Sequence, residues 1–376
     1  MANWKLLHLI SSDRWTGAAE PVCNLVRGLQ SRGHHVRLGL IRGKSFEPRA
    51  RERGIEIDES LHLHRGFNPL KSLADIRSIA RTVRSDGIDL IHCHMNTDHW
   101  LAAFARKMHR LDVRLVRTQH RVRGLHRELG AGLLCKRLTD AVIVLGDERR
   151  HEEIRAGRVR DDQVHVIRGA VDSERVHPGV SGAAVRADLG IPADAPVVGM
   201  IAHFKTGRGW STATEAFVHV HRRNPNAHFL LAGGHSSLVK RMRAQLESGD
   251  CLAQTHFVSD NRLPWPEVIA AMDFSVWLAP GSEGSARAVL EVMAAGRPVI
   301  AGDLGTIRET LENAVSGTIV SQRVTPETLA RAISHLIEHP TERLMMGRAA
   351  RKRIEAQFTI ERQVDDVEAL YARLIG

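Results

Sequence analysis

The chain has 376 residues, long enough for two ordinary domains and too long for a single small module. Lys and Arg number 53 against 43 Asp and Glu, a formal net charge of +10, while 43% of residues are hydrophobic and 26% charged, which excludes a disordered chain. Aromatic residues make up only 4%, so the core must be built mainly from Leu, Val, Ile and Ala, as in buried parallel strands under helices.

The N-terminal MANWKLLHLISSDRWTG has an apolar run too short for a signal-peptide core and reads as a first buried strand. No run reaches the roughly 18 apolar residues that span a bilayer, so any membrane role is expected to be peripheral. Cys23, Cys93, Cys135 and Cys251 include no Cys-x-x-Cys pair, which argues against a disulfide framework or a zinc ribbon and for a reducing cytosol. The excess charge has two readings: a solvated surface, or attraction to nucleotide phosphates or an anionic membrane. Arginines are spread along the chain with few aromatics beside them, so platforms for nucleic acid are poorly supplied and no nucleic-acid partner is expected.

Short apolar runs alternate with helix-period stretches. Strands are expected at Lys5–Ile10, Val36–Ile41, Leu90–Cys93, Arg114–Thr118 and Ala141–Leu145, then at Val197–Ala202, His228–Ala232, Phe274–Trp277 and Pro298–Ala301. Helices are expected between them, for example over Ala18–Arg32, Ser72–Ser85 and Thr212–Arg222. The alternation argues for an α/β protein with parallel sheets and right-handed crossovers. The series starts twice, and the Pro- and Gly-rich stretch between the two halves is the expected linker. Ligands of such sheets bind beyond the strand carboxyl ends, so the chemistry is sought in the loops that follow strands.

Three such loops stand out. Ser11–Glu20 carries Gly17 at the opening of a helix, where free backbone N–H groups suit a phosphate; a glycine needed only for a tight turn is the plain alternative. Lys205-Thr-Gly-Arg-Gly-Trp210 sets Lys205 and Arg208 beside Gly207 and Gly209, cations next to flexible backbone, which suits a pyrophosphate. Thr212 stands where a dinucleotide fingerprint wants its third Gly, and Gly43-Lys44-Ser45 lacks the leading Gly of a P-loop. The third runs Pro280-Gly-Ser-Glu283-Gly-Ser-Ala-Arg-Ala-Val-Leu-Glu291. With Glu283 in a loop and Glu291 on the following helix, both acids can address one ligand, and carboxylates suit vicinal hydroxyls of a sugar and a ribose. The plain alternative is an acid placed for the helix dipole and a second on a solvated face.

The run EGSARAVLEVMAAGRPVI, Glu283 to Ile300, resembles the signature of family 4 glycosyltransferases. Gly33-His-His-Val36, Ile91-His-Cys-His94, Arg117-Thr-Gln-His120, Val166-Ile-Arg-Gly-Ala-Val-Asp172, Ala202-His-Phe-Lys-Thr-Gly-Arg208-Gly209 and the closing FTIERQVDDVEALYARL are similar to its other motifs, in the same order. The resemblance implies a GT-B fold: two Rossmann-like domains whose parallel sheets face an interdomain cleft. It divides the chain into an acceptor domain over 1–175, a linker over 176–196, a nucleotide-sugar domain over 197–355, and a helix over 356–376 that crosses back. It also implies retaining transfer of a sugar from a nucleotide-diphosphate sugar to a saccharide or lipid-linked acceptor of the cell envelope, such as lipopolysaccharide. That nucleotide sugar is a co-substrate; no cofactor and no metal are expected, in keeping with the lack of an Asp-x-Asp triplet. Location in the cytoplasm follows, with peripheral contact at the cytoplasmic face of an anionic inner membrane.

Carried over residue by residue, Arg208 matches the phosphate-binding cation, with Lys205 as helper. Glu283 matches the acid that holds the donor sugar, Glu291 the acid on the ribose, His120 a His near the reacting sugar, and Gly17 and Gly209 the close-approach glycines. Ala202-His203 replaces the usual Gly-Arg, so one cation becomes a His. Ser285, Ala286 and Arg287 replace aromatic-Gly-Leu and offer backbone N–H groups and a guanidinium. Acceptor contacts are expected from His94, Arg121 and Arg123. The alternatives are a nucleotide-sugar epimerase of the same fold, a NAD-dependent oxidoreductase, and a non-enzymatic binder of anionic surfaces. His92 and His94 also alternate on one strand as metal ligands can, but the spacing suggests no third ligand.

Overall fold

Apolar runs that are buried on both faces pair side by side only if helices cover them, and the chain does this twice. The computed structural model describes residues 3–15, 17–64, 66, 68–120, 125, 130–202, 204, 207–233, 237–259, 263–278 and 286–376. Among these, two units separate: one runs to Ala170 and resumes at Ile360, the other runs from Val171 to Thr359. In the first, β1 (Lys5–Ile10), β2 (His35–Leu40), β3 (Leu90–Cys93), β4 (Arg114–Thr118), β5 (Ala141–Val144) and β6 (Val164–Val166) form a parallel sheet in the order β2-β1-β3-β4-β5-β6. In the second, β7 (Val197–Ile201), β8 (His228–Ala232), β9 (Thr255–Val258), β10 (Phe274–Trp277), β11 (Val299–Gly302) and β12 (Gly317–Val320) form another, in the order β12-β11-β10-β7-β8-β9. The α/β class with two doubly wound sheets is as expected.

Three strands have no counterpart in the sequence reading: β6, β9 and β12. All three lie at sheet edges and are three or four residues long, and each is partly exposed, so none shows the unbroken apolar run of a central strand. The helices run close to their expected bounds, at Ala19–Ser31, Pro69–Asp86 and Trp210–Arg223. The second begins three residues early because the Asn68 side chain caps the Lys71 N–H at 3.1 Å and Pro69 occupies the first turn.

Residues 176–196 carry the short helix Ala183–Asp188 and are tied into the second unit. Arg186 donates to the carbonyls of Ala271, Ala193 and Ala195 at 3.0 Å each and pairs with Asp273 at 3.1 Å. The closing helix Ile360–Ile375 packs on the helix Ala19–Ser31, where Gly28 leaves room that a Cβ would take from Val364 at 2.4 Å. Arg32 fixes that contact through Asp365 and Glu368, both at 2.5 Å.

Period-2 alternation gives the first sheet two apolar faces. Leu7, Leu9, Ile91 and Leu115 face the helices Pro69–Asp86 and Asn96–His109; Leu6, Ile10, Leu90 and Val116 face the first and last helices. In the second unit, Gly209 sits at φ +77° directly before the helix Trp210–Arg223, and a Cβ there would lie 2.5 Å from Leu278 Cβ. Gly207 shares the left-handed backbone, φ +79°, but meets nothing within 4 Å among the described residues. Gly207→Ala should therefore cost about 1 kcal/mol, whereas Gly209→Ala should cost about 2–4 kcal/mol because overpacking adds to the backbone term. Urea denaturation of the two variants checks this, and equal losses would contradict it.

Candidate functional site

In an open parallel sheet the ligand crevice lies beyond the carboxyl ends where the strand order reverses. In the second unit the reversal falls between β7 and β10, paired from Val198 with Phe274 to Met200 with Val276. The chain leaving β7 reaches Gly207, Arg208 and Gly209; the chain leaving β10 passes Leu278 and resumes at Ala286. The close approach of Gly209 to Leu278 brings these two exits side by side. The described ends of the two motifs, residues 207–209 and the helix from Arg287, thus follow neighbouring strands of one sheet. His203, Lys205, Glu283 and Ser285 lie outside the described residues, as do Arg121 and Arg123 of the first unit.

Two helices begin at this crevice, Trp210–Arg223 after Gly209 and Arg287–Ala294 after Ala286. Neither has an acid in its first turn, and the helix dipole sets partial positive charge at both N-termini. Ala286 is in the left-handed region, φ +49° and ψ 48°, which costs a residue with a Cβ roughly 1–2 kcal/mol. Such strain collects where backbone is held for a ligand.

Glu291 is not on a solvated face. Its side chain is 6% exposed; the Trp265 indole N–H donates to Oε2 at 3.0 Å, and Arg287, one turn earlier, pairs with Oε1 at 3.4 Å. The sequence reading missed Trp265, which lies 26 residues away with no motif to connect them.

The first unit reverses order between β1 and β3, and here a polar row crosses an apolar core. Register sets His8 beside His92, and alternation adds His94, Thr118 and His120 to the same face. All are buried. His120 Nε2 lies 3.1 Å from His94 Nδ1, and His94 Nε2 lies 3.1 Å from His8 Nδ1. Tyr371 of the closing helix meets His92 Nδ1 at 2.5 Å and His8 Nε2 at 3.4 Å, while His92 Nε2 contacts Thr118 Oγ1 at 2.7 Å. His94, expected to touch an acceptor, therefore sits between two other histidines. His94, Thr118 and His120 line a cavity with Leu25, Leu145 and Gln363. Gly17 lies ahead of the helix Ala19–Ser31, which borders that cavity through Val22 and Leu25.

Asp98 holds the neighbouring backbone. It accepts the Ser11 N–H at 3.0 Å and the Met95 N–H at 2.8 Å and pairs with buried Arg117 at 3.6 Å, tying the exit of β1 to the helix that follows β3. Burial pushes its carboxyl up to about 7 against the pull of Arg117 and the amides. Burial drives the histidines the other way: His8 and His120 fall to about 3, and His92, His94 and His99 are held well below 6.5. Folded protein thus holds these rings neutral while the unfolded chain protonates them. The stability they confer is whole above pH 6.5 and is lost as the pH falls below it, about 1.4 kcal/mol per pH unit for a ring that stays neutral in the folded chain. Asp98 acts oppositely through a single proton between pH 7 and 4, so the five rings prevail. Chemical denaturation at pH 7 and pH 5 should show the first unit weakened at pH 5, with net proton uptake on unfolding; equal or greater stability at pH 5 would contradict the assignment.

A family model described as Glycosyltransferase Family 4 matches residues 15–175, and one described as Glycosyl transferases group 1 matches residues 183–353. A D-inositol 3-phosphate glycosyltransferase of Saccharomonospora viridis is 31% identical over 248 residues, which cover 62% of this chain and 55% of that protein. The chain spans about half the length of the curated relatives it matches. A glycosyltransferase from Rickettsia africae shares the fold with TM-score 0.88 and 16% identity, covering 100% of this chain and 99% of that one. HepE of Anabaena, solved with UDP and glucose, gives TM-score 0.83 at 21% identity over 99% of this chain and 100% of its own. With both units matched by family models and the whole chain by solved folds of this kind, the chain belongs to the family 4 glycosyltransferases and has the GT-B fold.

Proposed function

We propose that this chain transfers a sugar from a nucleotide-diphosphate sugar to a hydroxyl of a saccharide or lipid-linked cell-envelope acceptor, with retention at the anomeric carbon and without a metal. The observation that carries the reading is the pairing of β7 with β10 and the close approach of Gly209 to Leu278, which sets the exits of these two strands side by side. UDP in HepE and the inositol phosphate named for the S. viridis relative support a nucleotide donor and a polyol acceptor. As the bond to the anomeric carbon breaks, charge gathers on the departing diphosphate. Arg208, with Lys205 and His203, and the amides that open the helix Trp210–Arg223 are the groups we assign to meet it. Glu283 holds the hydroxyls of the donor sugar and Glu291 those of the ribose, with Trp265 and Arg287 fixing the Glu291 carboxylate.

Backbone N–H groups of Ser285, Ala286 and Gly209 complete the donor contacts, Gly17 gives close approach, and His120 meets the reacting sugar. His94, Arg121 and Arg123 serve the acceptor side. Incubation with UDP-, GDP- and ADP-sugars should show binding of at least one. Arg208→Ala should then lower kcat about 100- to 1000-fold, the worth of one donor to a developing anion, and Glu283→Ala should abolish transfer with the fold intact. Absence of all nucleoside-diphosphate binding, or unchanged turnover in both variants, would contradict the proposal; product formed without an acceptor would favour an epimerase.

No helix among the described residues is long and apolar enough to cross a membrane. We propose peripheral contact instead. Phe104, Met108 and Leu133 are exposed on two helices that pack together, Asn96–His109 and Ala131–Leu138, among exposed Lys107, Arg110, Lys136 and Arg137. Apolar side chains framed by cations suit an anionic phospholipid surface. The protein should cosediment with phosphatidylglycerol vesicles in a salt-sensitive way, and Met108→Asp with Leu133→Asp should weaken this at least tenfold. Unchanged cosedimentation would reject the surface.

A further inference from the structure

Six buried side chains form one continuous series of contacts in the first unit. It runs from His120 through His94, His8, Tyr371 and His92 to Thr118, each step at 2.5–3.4 Å. At its open end, His120 Nδ1 is buried with no hydrogen-bond partner among the described residues, on a ring that lines the cavity. Three of the rings, His8, His92 and His94, also bring nitrogens within 4.8 Å of one another, as metal ligands would. Yet both nitrogens of each already have a side-chain partner at hydrogen-bond distance, which leaves no lone pair to spare.

A neutral imidazole has one donor and one acceptor, and Tyr and Thr hydroxyls can serve as either. Along such a series the orientation of one N–H dictates the next. If Tyr371 accepted from both His8 and His92, its own hydrogen would be left without a partner in the series; two arrangements satisfy every link and use that hydrogen. In one, His120 Nε2–H donates to His94, His94 to His8, His8 to Tyr371, Tyr371 to His92 and His92 to Thr118, which leaves His120 Nδ1 as a bare acceptor. In the other, every hydrogen bond is reversed and Nδ1 carries the proton. Burial holds all four rings in the neutral form that either arrangement requires. An orphaned buried N–H is rarer in folded proteins than an unused acceptor, so the first arrangement is the resting one.

We infer that His94, His8, Tyr371 and His92 are positioning residues that fix which nitrogen of His120 carries its proton, and present Nδ1 to the cavity as an uncharged acceptor for a ligand hydroxyl. Reversal of the series turns Nδ1 into a donor without creating an ion, so either lone pair or hydrogen of that hydroxyl can be met. This rests on the reading of His120 as the partner of the reacting sugar, but the hydrogen-bond order itself does not.

Tyr371→Phe removes the one hydroxyl that joins the two halves and keeps the ring that packs beneath the closing helix. His8 Nε2 then loses its acceptor, and the resting arrangement acquires an orphaned N–H of its own. In protein labelled with 15N at histidine, with the His120 signals assigned from His120→Asn, His120 Nδ1 should show the bare, imine-type shift in the unaltered chain and move toward the protonated type in Tyr371→Phe. His99, which bonds Thr139 Oγ1 at 2.8 Å outside the series, should not move and so reports that the fold is intact. In turnover, Tyr371→Phe should lower kcat about five- to tenfold with little change in donor KM, the worth of one uncharged hydrogen bond. An unaltered His120 shift in Tyr371→Phe, or stoichiometric zinc in the purified protein, would overturn the inference. Should no nucleotide sugar be turned over by the unaltered chain, the proposed function fails while the nitrogen shifts still decide the series.

Discussion

Parallel pairing of β7 with β10 is the constraint on which the second unit depends. Strands separated by more than 70 residues of sequence become neighbours because the winding reverses direction there, and their exits must share one space. Leu278 fills that space so closely that only glycine fits at 209, and the backbone at both exits turns left-handed, at Gly209 and again at Ala286. Two helices then begin within the same crevice. Nothing in this requires a ligand; it requires only that buried parallel strands be covered by helices on both faces. The chemistry we propose draws on what the chain carries next to those exits, Arg208 after β7 and, after β10, the helix that holds Glu291.

The first unit is built on the same constraint but makes a different use of its core. Where the second sheet is covered by apolar side chains, aliphatic and aromatic, the face of β1, β3 and β4 beneath the first and last helices carries four histidines and is closed by the chain's single tyrosine. A neutral polar row inside an apolar layer is tolerable only when every group has a partner, since each unmet one costs roughly 1–3 kcal/mol. The row meets this everywhere except at His120 Nδ1, among the described residues. Asp98 follows the same rule: a buried carboxylate is held by two backbone amides and a guanidinium, and in return fixes the exit of β1.

Much of this was legible in the sequence, for physical reasons that differ by element. Central strands such as Leu90–Cys93 and Phe274–Trp277 announced themselves because both faces are buried, while Val164–Val166, Thr255–Val258 and Gly317–Val320, half solvated at the edges, did not. The glycine and acid motifs could be read as chemistry, but the adjacency of the strand exits they follow could not, because it depends on strand order. His92 and His94 drew notice as an alternating pair; His8 and Tyr371, 84 residues before the first of them and 279 after it, complete their environment and carry no local signal. The Trp265 bond to Glu291 was hidden in the same way, and with it the burial of a residue that helical periodicity alone leaves free to face solvent. Long-range polar contacts are where a pattern-based reading runs out, since neither periodicity nor spacing encodes them.

The central claim is that the exits of β7 and β10 together hold a nucleotide sugar. Crystals of the full chain soaked with a nucleoside diphosphate test it directly. The account predicts diphosphate density against Arg208 and the amides that open the helix Trp210–Arg223, with the ribose hydroxyls at the Glu291 carboxylate. Density for the nucleotide elsewhere on the chain, with this crevice left to solvent, would contradict it.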